Sequence, residues 1–270
     1  MKIIKRKKAE KQKCKEWYFD RNLKIDSKIE RAKKMKIEDL YNLDETIAKQ
    51  LLITEKYPWE ILPKINDFIL ELGPKLDKNI YEQKDENDWI AKSAKIAPTA
   101  SITGPVIIDE NAEIRHSAFI RGKAIVGKNA VVGNSTELKN VILFNNVQVP
   151  HYNYVGDSIL GYKAHMGAGS ITSNVKSDKS NVEIKVKKGI ENLNVDGILN
   201  NANQNEEKIK TNLRKVGAFL GDGVEVGCNS VLNPGTIIGK NTNIYPLSCV
   251  RGVIPENSIY KNKNEIVKKK

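Results

Sequence analysis

Cysteine is scarce in this chain of 270 residues: Cys14, Cys228 and Cys249 are the only three, and none sits in a CxxC pair. That excludes a disulfide framework and a cysteine-rich zinc scaffold, and it fits a reducing compartment such as the cytoplasm. Aromatic residues make up only 6%. Charged residues interrupt every long apolar run, so nothing reads as a membrane span. The basic N-terminus has no apolar segment behind it, which excludes a secretory signal. Histidine is equally sparse, at three: His116, His151 and His165. Their spacings of 35 and 14 residues lack the close pair expected of a zinc site, so no metal is expected.

The net charge of +12 raises the question of nucleic acid, but its distribution argues against that role. Residues 1–36 carry 15 Lys/Arg against 5 Asp/Glu, whereas the other 234 residues carry 30 against 28. The excess is a basic extension on a nearly neutral body, which reads as a flexible segment rather than a nucleic-acid surface.

What the chain has in abundance is a period. Ile90, Ile96, Ile102, Ile108, Ile114, Ile120, Val126, Val132, Leu138 and Phe144 recur every six residues. Two residues before each later step, up to Leu138, stands a small or β-branched residue, from Ala94 to Thr136. Six fits neither a helix nor a two-sided strand; it is the period of a parallel β-helix of hexapeptide repeats. The run slips at residues 150–154, resumes at Val155, Leu160 and Met166, and breaks at Thr172. A second run follows through Leu220, Val226, Leu232, Ile238, Ile244 and Val250.

Between the runs, residues 175–213 read as an excursion. Val182, Ile184 and Val186 alternate as in a hairpin, with a loose Asn-rich tip at 191–207. Ahead of the repeats, apolar residues at three- and four-residue spacing predict helices over 37–73, ended by Gly73-Pro74. A helical cap over 37–88 is expected to cover the end of the first coil, because an open end exposes core and strand edge. Residues 89–260 form the β-helix, and 261–270 read as a frayed tail.

Three hexads make one triangular coil, so residues 18 apart stack at about 4.8 Å. Arg121 and Lys139 stack in this way and point outward. Two stacked cations suit a phosphate, while Glu137 offers the alternative of a surface ion pair. His151 interrupts the pattern in VPHYNYVGD and is a candidate general base, the alternative being a plain surface histidine. In GYKAHMGAGS the glycines around Ala168 let backbone N–H groups approach a ligand.

The segments IRGKAIVGKNAVVGNSTELKN, VPHYNYVGDSILG, MGAGSITSN and LRKVGAFLGDGVEVGCNSVLNPGTIIG together resemble one family, over about residues 89–260. It is the acetyltransferase half of the bifunctional sugar-1-phosphate nucleotidyltransferase/acetyltransferases. The resemblance implies an all-β fold, a left-handed parallel β-helix with a small N-terminal α-helical cap, assembled as a homotrimer with sites between neighbouring subunits. It implies acetyl-CoA as co-substrate and an amino-sugar phosphate of the glucosamine-1-phosphate type as acceptor. An acyltransferase acting on a nucleotide sugar or another amine, and a non-catalytic scaffold, are the alternatives.

Position by position, His151 matches the catalytic base and Asn174 a residue near the transferred acetyl group. Arg121 and Lys139 match the phosphate-holding pair, and Tyr154 a sugar contact. His165 stands at a substrate position where the bacterial enzymes have asparagine, and Val175 where they have tyrosine. Ala168 matches a backbone contact to the thioester. Cys228 and Pro246 fall along the coenzyme path, where the family has serine and alanine. Residues 1–88 show no Gly-rich nucleotide loop, so a standalone form of that half is expected.

Overall fold

The computed structural model describes residues 35–187 and 206–269. The basic extension, up to residue 34, and most of the Asn-rich tip lie outside the described residues. The chain winds as a left-handed parallel β-helix of about eight turns. Three faces are built from ladders whose partners lie one coil apart. The first runs from Asp88–Ala91 through Val106–Ile108 and Ala124–Val126 to Val253–Ile254. The second runs from Lys95–Ile96 to Ser258–Asn262, and the third from Ser101–Thr103 to Cys249–Val250. Ile120, Val126, Val132 and Leu138 point inward and are fully buried, as the six-residue period requires. Asn, Gly and Ser occupy many corners, where φ is positive at Asn111, Ser117 and Asn129 among others. These residues tolerate the left-handed region that turns a strand through a corner.

The coil length is not constant. Ile120 stacks under Leu138, 18 residues on, but Val126 pairs with Leu143 and Leu138 with Val155, each 17 on. The first slip therefore lies between Leu138 and Leu143, earlier than residues 150–154, which hold register. A second shortened corner lies between Val155 and Leu160, because Leu143 pairs with Leu160. Leu143 takes the ladder position expected of Phe144. Phe144 instead fills a buried corner against the Tyr41 ring, with centroids 5.0 Å apart.

Residues 37–75 are helical but broken, into α1 (Ile37–Leu40), α2 (Lys49–Leu52) and α3 (Ile65–Leu72), with 3-10 turns between. The cap does not sit on the end of the first coil. It lies as an arm along the first face. Tyr41 donates its hydroxyl to Ile159 O, the Asn42 N–H donates to Asp222 Oδ2 at 2.7 Å, and Trp59 meets Phe219 with ring centroids 6.3 Å apart. A Cβ at Gly73 would fall 2.2 Å from the Trp89 ring, so the arm passes flush against it. The cause is legible in composition. Ile107, Ile125, Ile142, Ile159 and Phe219, which alternate with the inward residues, are apolar and fully buried. A strand apolar on both sides needs cover on both sides.

The open end is closed by other means. Tyr81–Asp85 pairs antiparallel with Asp88–Ala91 at the first coil. At the last coil, Glu265–Lys268 folds back antiparallel on Ser258–Asn262, so this segment is a hairpin rather than a frayed tail. Both strands complete a sheet edge that would otherwise be bare.

The excursion is a hairpin, Glu183–Lys187 against Glu206–Lys210, with Ile184 facing Ile209. Val182 and Ile184 are buried against the later coils, where a Cβ at Gly235 would come within 2.9 Å of both. The chain leaves the helix at Asn174 and re-enters directly beside it, since the Val216 N–H donates to Asn174 O at 3.0 Å.

Candidate functional site

Two sets of side chains flank the third face, one at each of its corners. The first set is a ladder at the corner between the second and third faces. Backbone bonds tie each coil to the next there: Tyr152 N–H to Asn134 O, Gly169 N–H to His151 O, Asn229 N–H to Ala168 O, and Leu247 N–H to Cys228 O, at 2.8–3.0 Å. His116, Asn134, His151, Ala168, Cys228 and Pro246 therefore stand in one column, rung upon rung at about 4.8 Å. Four residues chosen from sequence, His151, Ala168, Cys228 and Pro246, are consecutive in it.

His151 ends the strand Gln148–His151 and is exposed. Its own N–H donates to Asn153 Oδ1 at 3.1 Å. Asn153 is buried, and its amide donates to Gly167 O and Ser170 O at 2.9 and 3.0 Å. The corner carrying His151 is thus pinned from inside to the Gly167–Ser170 turn, while the imidazole stands outward. Among the described residues no side chain bonds to that ring.

The residue after each column member lies at positive φ. Ser117, Ser135, Gly169 and Asn229 suit that region, but Tyr152 (φ 52°) and Leu247 (φ 58°) do not. Both are also exposed, Tyr152 by 65% and Leu247 by 79%. Lys123 and Lys163 take the same left-handed conformation at other corners, so it belongs to the corner geometry of the coil.

The second set gathers at the corner between the third and first faces. Arg121 and Lys139 lie in successive coils, as their spacing requires. Each is paired with a carboxylate. Arg121 Nε donates to Glu137 Oε1 at 2.6 Å, the surface ion pair that was the alternative. The Glu137 carboxylate, with the Tyr154 phenol adding a smaller share, holds the Arg121 guanidinium above the usual arginine range. Lys139 Nζ donates to Asp157 Oδ1 and Oδ2 at 2.9 and 3.1 Å.

Asp157 also accepts from Asn140 Nδ2 at 2.8 Å and from Asn174 Nδ2 at 2.6 Å. The Asn174 amide reaches on to the Tyr154 hydroxyl at 3.1 Å. Arg121, Lys139, Tyr154 and Asn174 are thereby joined in one network. Two of its members, Glu137 and Asp157, are carboxylates; Asp157 was not singled out from sequence. Its signal was available: each five-residue step, Leu138 to Leu143 and Val155 to Leu160, carries an Asx residue two positions in.

His165 joins neither set. It faces outward on the second face, with Nδ1 2.8 Å from Glu225 Oε2. Among the described residues no group of three or more His, Cys, Asp or Glu is arranged to hold a metal, and no helix is long and apolar enough to cross a membrane.

Register, period and corner geometry define a β-helix of the hexapeptide-repeat class. The family model described as the GMPPB C-terminal domain matches residues 102–195. A bifunctional protein GlmU of Methanococcus maripaludis is 34% identical over 234 residues, covering 79% of this chain and 48% of that protein. A bifunctional sugar-1-phosphate nucleotidylyltransferase/acetyltransferase of Sulfurisphaera tokodaii is 29% identical over 127 residues, covering 47% of this chain and 27% of that one. A hexapeptide transferase family protein from Anaplasma phagocytophilum superposes with a TM-score of 0.35 at 15% identity, covering 68% of this chain and 79% of that one.

The chain is a relative of the bifunctional GlmU proteins, and it spans about half the length of the curated relatives it matches.

Proposed function

We propose that this chain is an N-acetyltransferase that moves an acetyl group from acetyl-CoA to the amine of an amino-sugar phosphate of the glucosamine-1-phosphate type. The observation that carries the reading is the pairing of two sets on one face. One corner holds an outward imidazole in line with Ala168, Cys228 and Pro246; the other holds the Arg121–Lys139–Tyr154–Asn174 network. The kinship with GlmU proteins supports the same chemistry.

An ammonium cannot attack a carbonyl, so the sugar amine must first shed a proton. His151 takes it, a contribution of typically 10²–10⁴-fold. The amine nitrogen then bonds to the thioester carbon, and the C–S bond breaks. The nitrogen, cationic once bonded, gives up a second N–H proton as the amide forms, the departing thiolate takes up one proton, and the proton held by His151 passes to solvent, which leaves the amide and the free thiol. Gly167, Gly169 and Ser170 donate their N–H groups to Val226 O, His151 O and Gly167 O, so the Ala168 N–H is the donor of this turn for charge developing on the carbonyl oxygen. Arg121 and Lys139 anchor the phosphate.

The arm covers the first face, and among the described residues no helix lies on the second or third. A homotrimer in which neighbouring copies complete the site is the assembly this arrangement accommodates. The test is free-thiol release from acetyl-CoA with glucosamine-1-phosphate and galactosamine-1-phosphate offered separately. Turnover should fall at least a hundredfold in His151→Ala, with binding of the sugar phosphate retained. Unchanged kcat in that variant would remove the base assignment, and no turnover with any amino-sugar phosphate would remove the function.

A further inference from the structure

We propose that Asp157 is the positioning residue of this site, holding Lys139 and Asn174 in place before any substrate arrives; the inference rests on the acetyl-transfer reading above.

The inference starts from the two shortened corners. In the neighbouring coil, Gly122 and Lys123 both lie at positive φ at this corner. In the next two coils the step is one residue shorter, and a single left-handed residue makes the turn: Asn140 (φ 56°) and then Asp157 (φ 48°). The shorter corner carries the side chain of that residue inward. Asn140 and Asp157 are both buried, and the Asp157 side chain is only 4% exposed. The register slip is thus what brings a carboxylate under the surface between Lys139 and Asn174.

A buried carboxylate is tolerated only where donors surround it. Asp157 has donors from three side chains, contributed by two separate turns of chain: Lys139 and Asn140 from one coil's corner, and Asn174 from the point where the hairpin departs. Its own backbone carbonyl accepts from the Gly217 N–H at 2.8 Å, where the chain returns. A Cβ at Gly217 would fall 2.1 Å from Gly156 O, so the returning strand is pressed against the same corner. Asn140 turns its NH2 to Asp157, and its buried Oδ1 is left without a partner. An orphaned buried acceptor costs stability, as it does also at Asp88 and Asn243. The orientation of Asn140 serves the carboxylate at its own expense.

Asp157 touches neither substrate in this arrangement. It acts through Lys139, whose ammonium has a hydrogen left after two bonds to the carboxylate, and through Asn174, whose amide is fixed between Asp157 and Tyr154. The His151–Ala168–Cys228–Pro246 column lies at the opposite corner and shares no bond with it. The expected effect is therefore selective for the sugar-phosphate side.

In Asp157→Asn, the new NH2 group faces two donors whichever oxygen it replaces, Lys139 together with Asn140 or Asn174. The KM for the sugar phosphate should rise at least tenfold and kcat fall by up to about a hundredfold, the scale of a misplaced anchor. The KM for acetyl-CoA should stay within twofold. A second variant, Lys139→Met with Asp157→Asn, removes both charges; its melting temperature should exceed that of the single Asp157→Asn variant while activity stays lost. An independent readout needs no turnover: amine-reagent labelling of Lys139, followed by peptide mass spectrometry, should quicken severalfold in Asp157→Asn relative to the exposed Lys123. If both KM values and the melting temperature move together, Asp157 is a structural corner only and the proposal falls. It falls also if labelling of Lys139 is unchanged. Should the unmodified protein show no turnover, the acetyl-transfer reading fails, and the labelling result still decides whether Asp157 holds Lys139.

Discussion

Glu137 gives the sharpest test of how this site recognises a phosphate, because the pairing predicts a gain where a loss would be the ordinary outcome. Its carboxylate lies 2.6 Å from Arg121 Nε, and both side chains are substantially exposed, 46% for Arg121 and 33% for Glu137. An exposed pair of this kind is worth about 0.2–1 kcal/mol. A phosphate arriving at Arg121 must displace or share that carboxylate, and it also meets the carboxylate's own negative charge. Glu137→Gln removes both costs and leaves the guanidinium in place. The affinity for glucosamine-1-phosphate should rise by a factor of about 1.4 to 5, the range that 0.2–1 kcal/mol spans. Isothermal titration at low salt reads the change directly. The gain should shrink at high salt, where screening reduces interactions between exposed charges. A tenfold weakening instead would mean that Glu137 itself grips the ligand, for example its ammonium, and the picture of a competing carboxylate would be refuted. Asp157 makes the contrast: it is buried, cannot step aside, and its neutralisation is expected to weaken the same binding.

Two further predictions concern stability. Leu247→Gly relieves a leucine at φ 58° that is almost wholly exposed, so little packing is lost while a conformational cost of about 1–2 kcal/mol is removed; the melting temperature should rise by about 2–4 °C or more, and a fall would show that Leu247 is packed in the assembled protein. Asp88 is buried with Oδ1 unpartnered, and burial first, then the nearby Asp85 charge, pushes its carboxyl pKa above the usual value. A raised carboxyl pKa means the folded state binds the proton more tightly, so this group disfavours folding above the raised pKa and the penalty fades as pH falls through it. Asp88→Asn should therefore raise the melting temperature at pH 7 and give little gain at pH 4; an equal gain at both would exclude titration as the cause.

The coil was legible because one rule, an inward apolar residue every six positions, repeats with little interference. What was not legible follows from where that rule bends. A five-residue step still places apolar residues near the expected positions, so Phe144 reads as the ladder residue in place of Leu143, and the slip reads two corners late, at 150–154 instead of 138–143. Helical spacing in 37–73 says that a face is buried but not against what, so an end cap and an arm read alike from sequence. The answer lay elsewhere in the chain, in the outward Ile107, Ile125, Ile142 and Ile159. At the site, spacing found the stacking of Arg121 and Lys139, the break in the repeat and the glycines pointed to His151 and Ala168, and the resemblance added Cys228 and Pro246; only the structure aligns these four in a column. Neither spacing nor resemblance could show that both cations are already paired, since Asp157 is 18 residues from Lys139 and 17 from Asn174 and is brought to them only by the shortened corner.

The arm along the first face also fixes an order of events during synthesis. Its residues emerge before the coils they dock on: Tyr41 binds Ile159, and Asn42 binds Asp222, 180 positions further along. At roughly 5–20 residues per second a ribosome needs about 9–36 s to make that distance. For that interval Trp59 and the apolar sides of α1 to α3 have no finished surface to lie on. The protein therefore pairs an early, greasy segment with a late docking site. A nascent chain halted before Phe219 should hold onto chaperones that the completed chain releases.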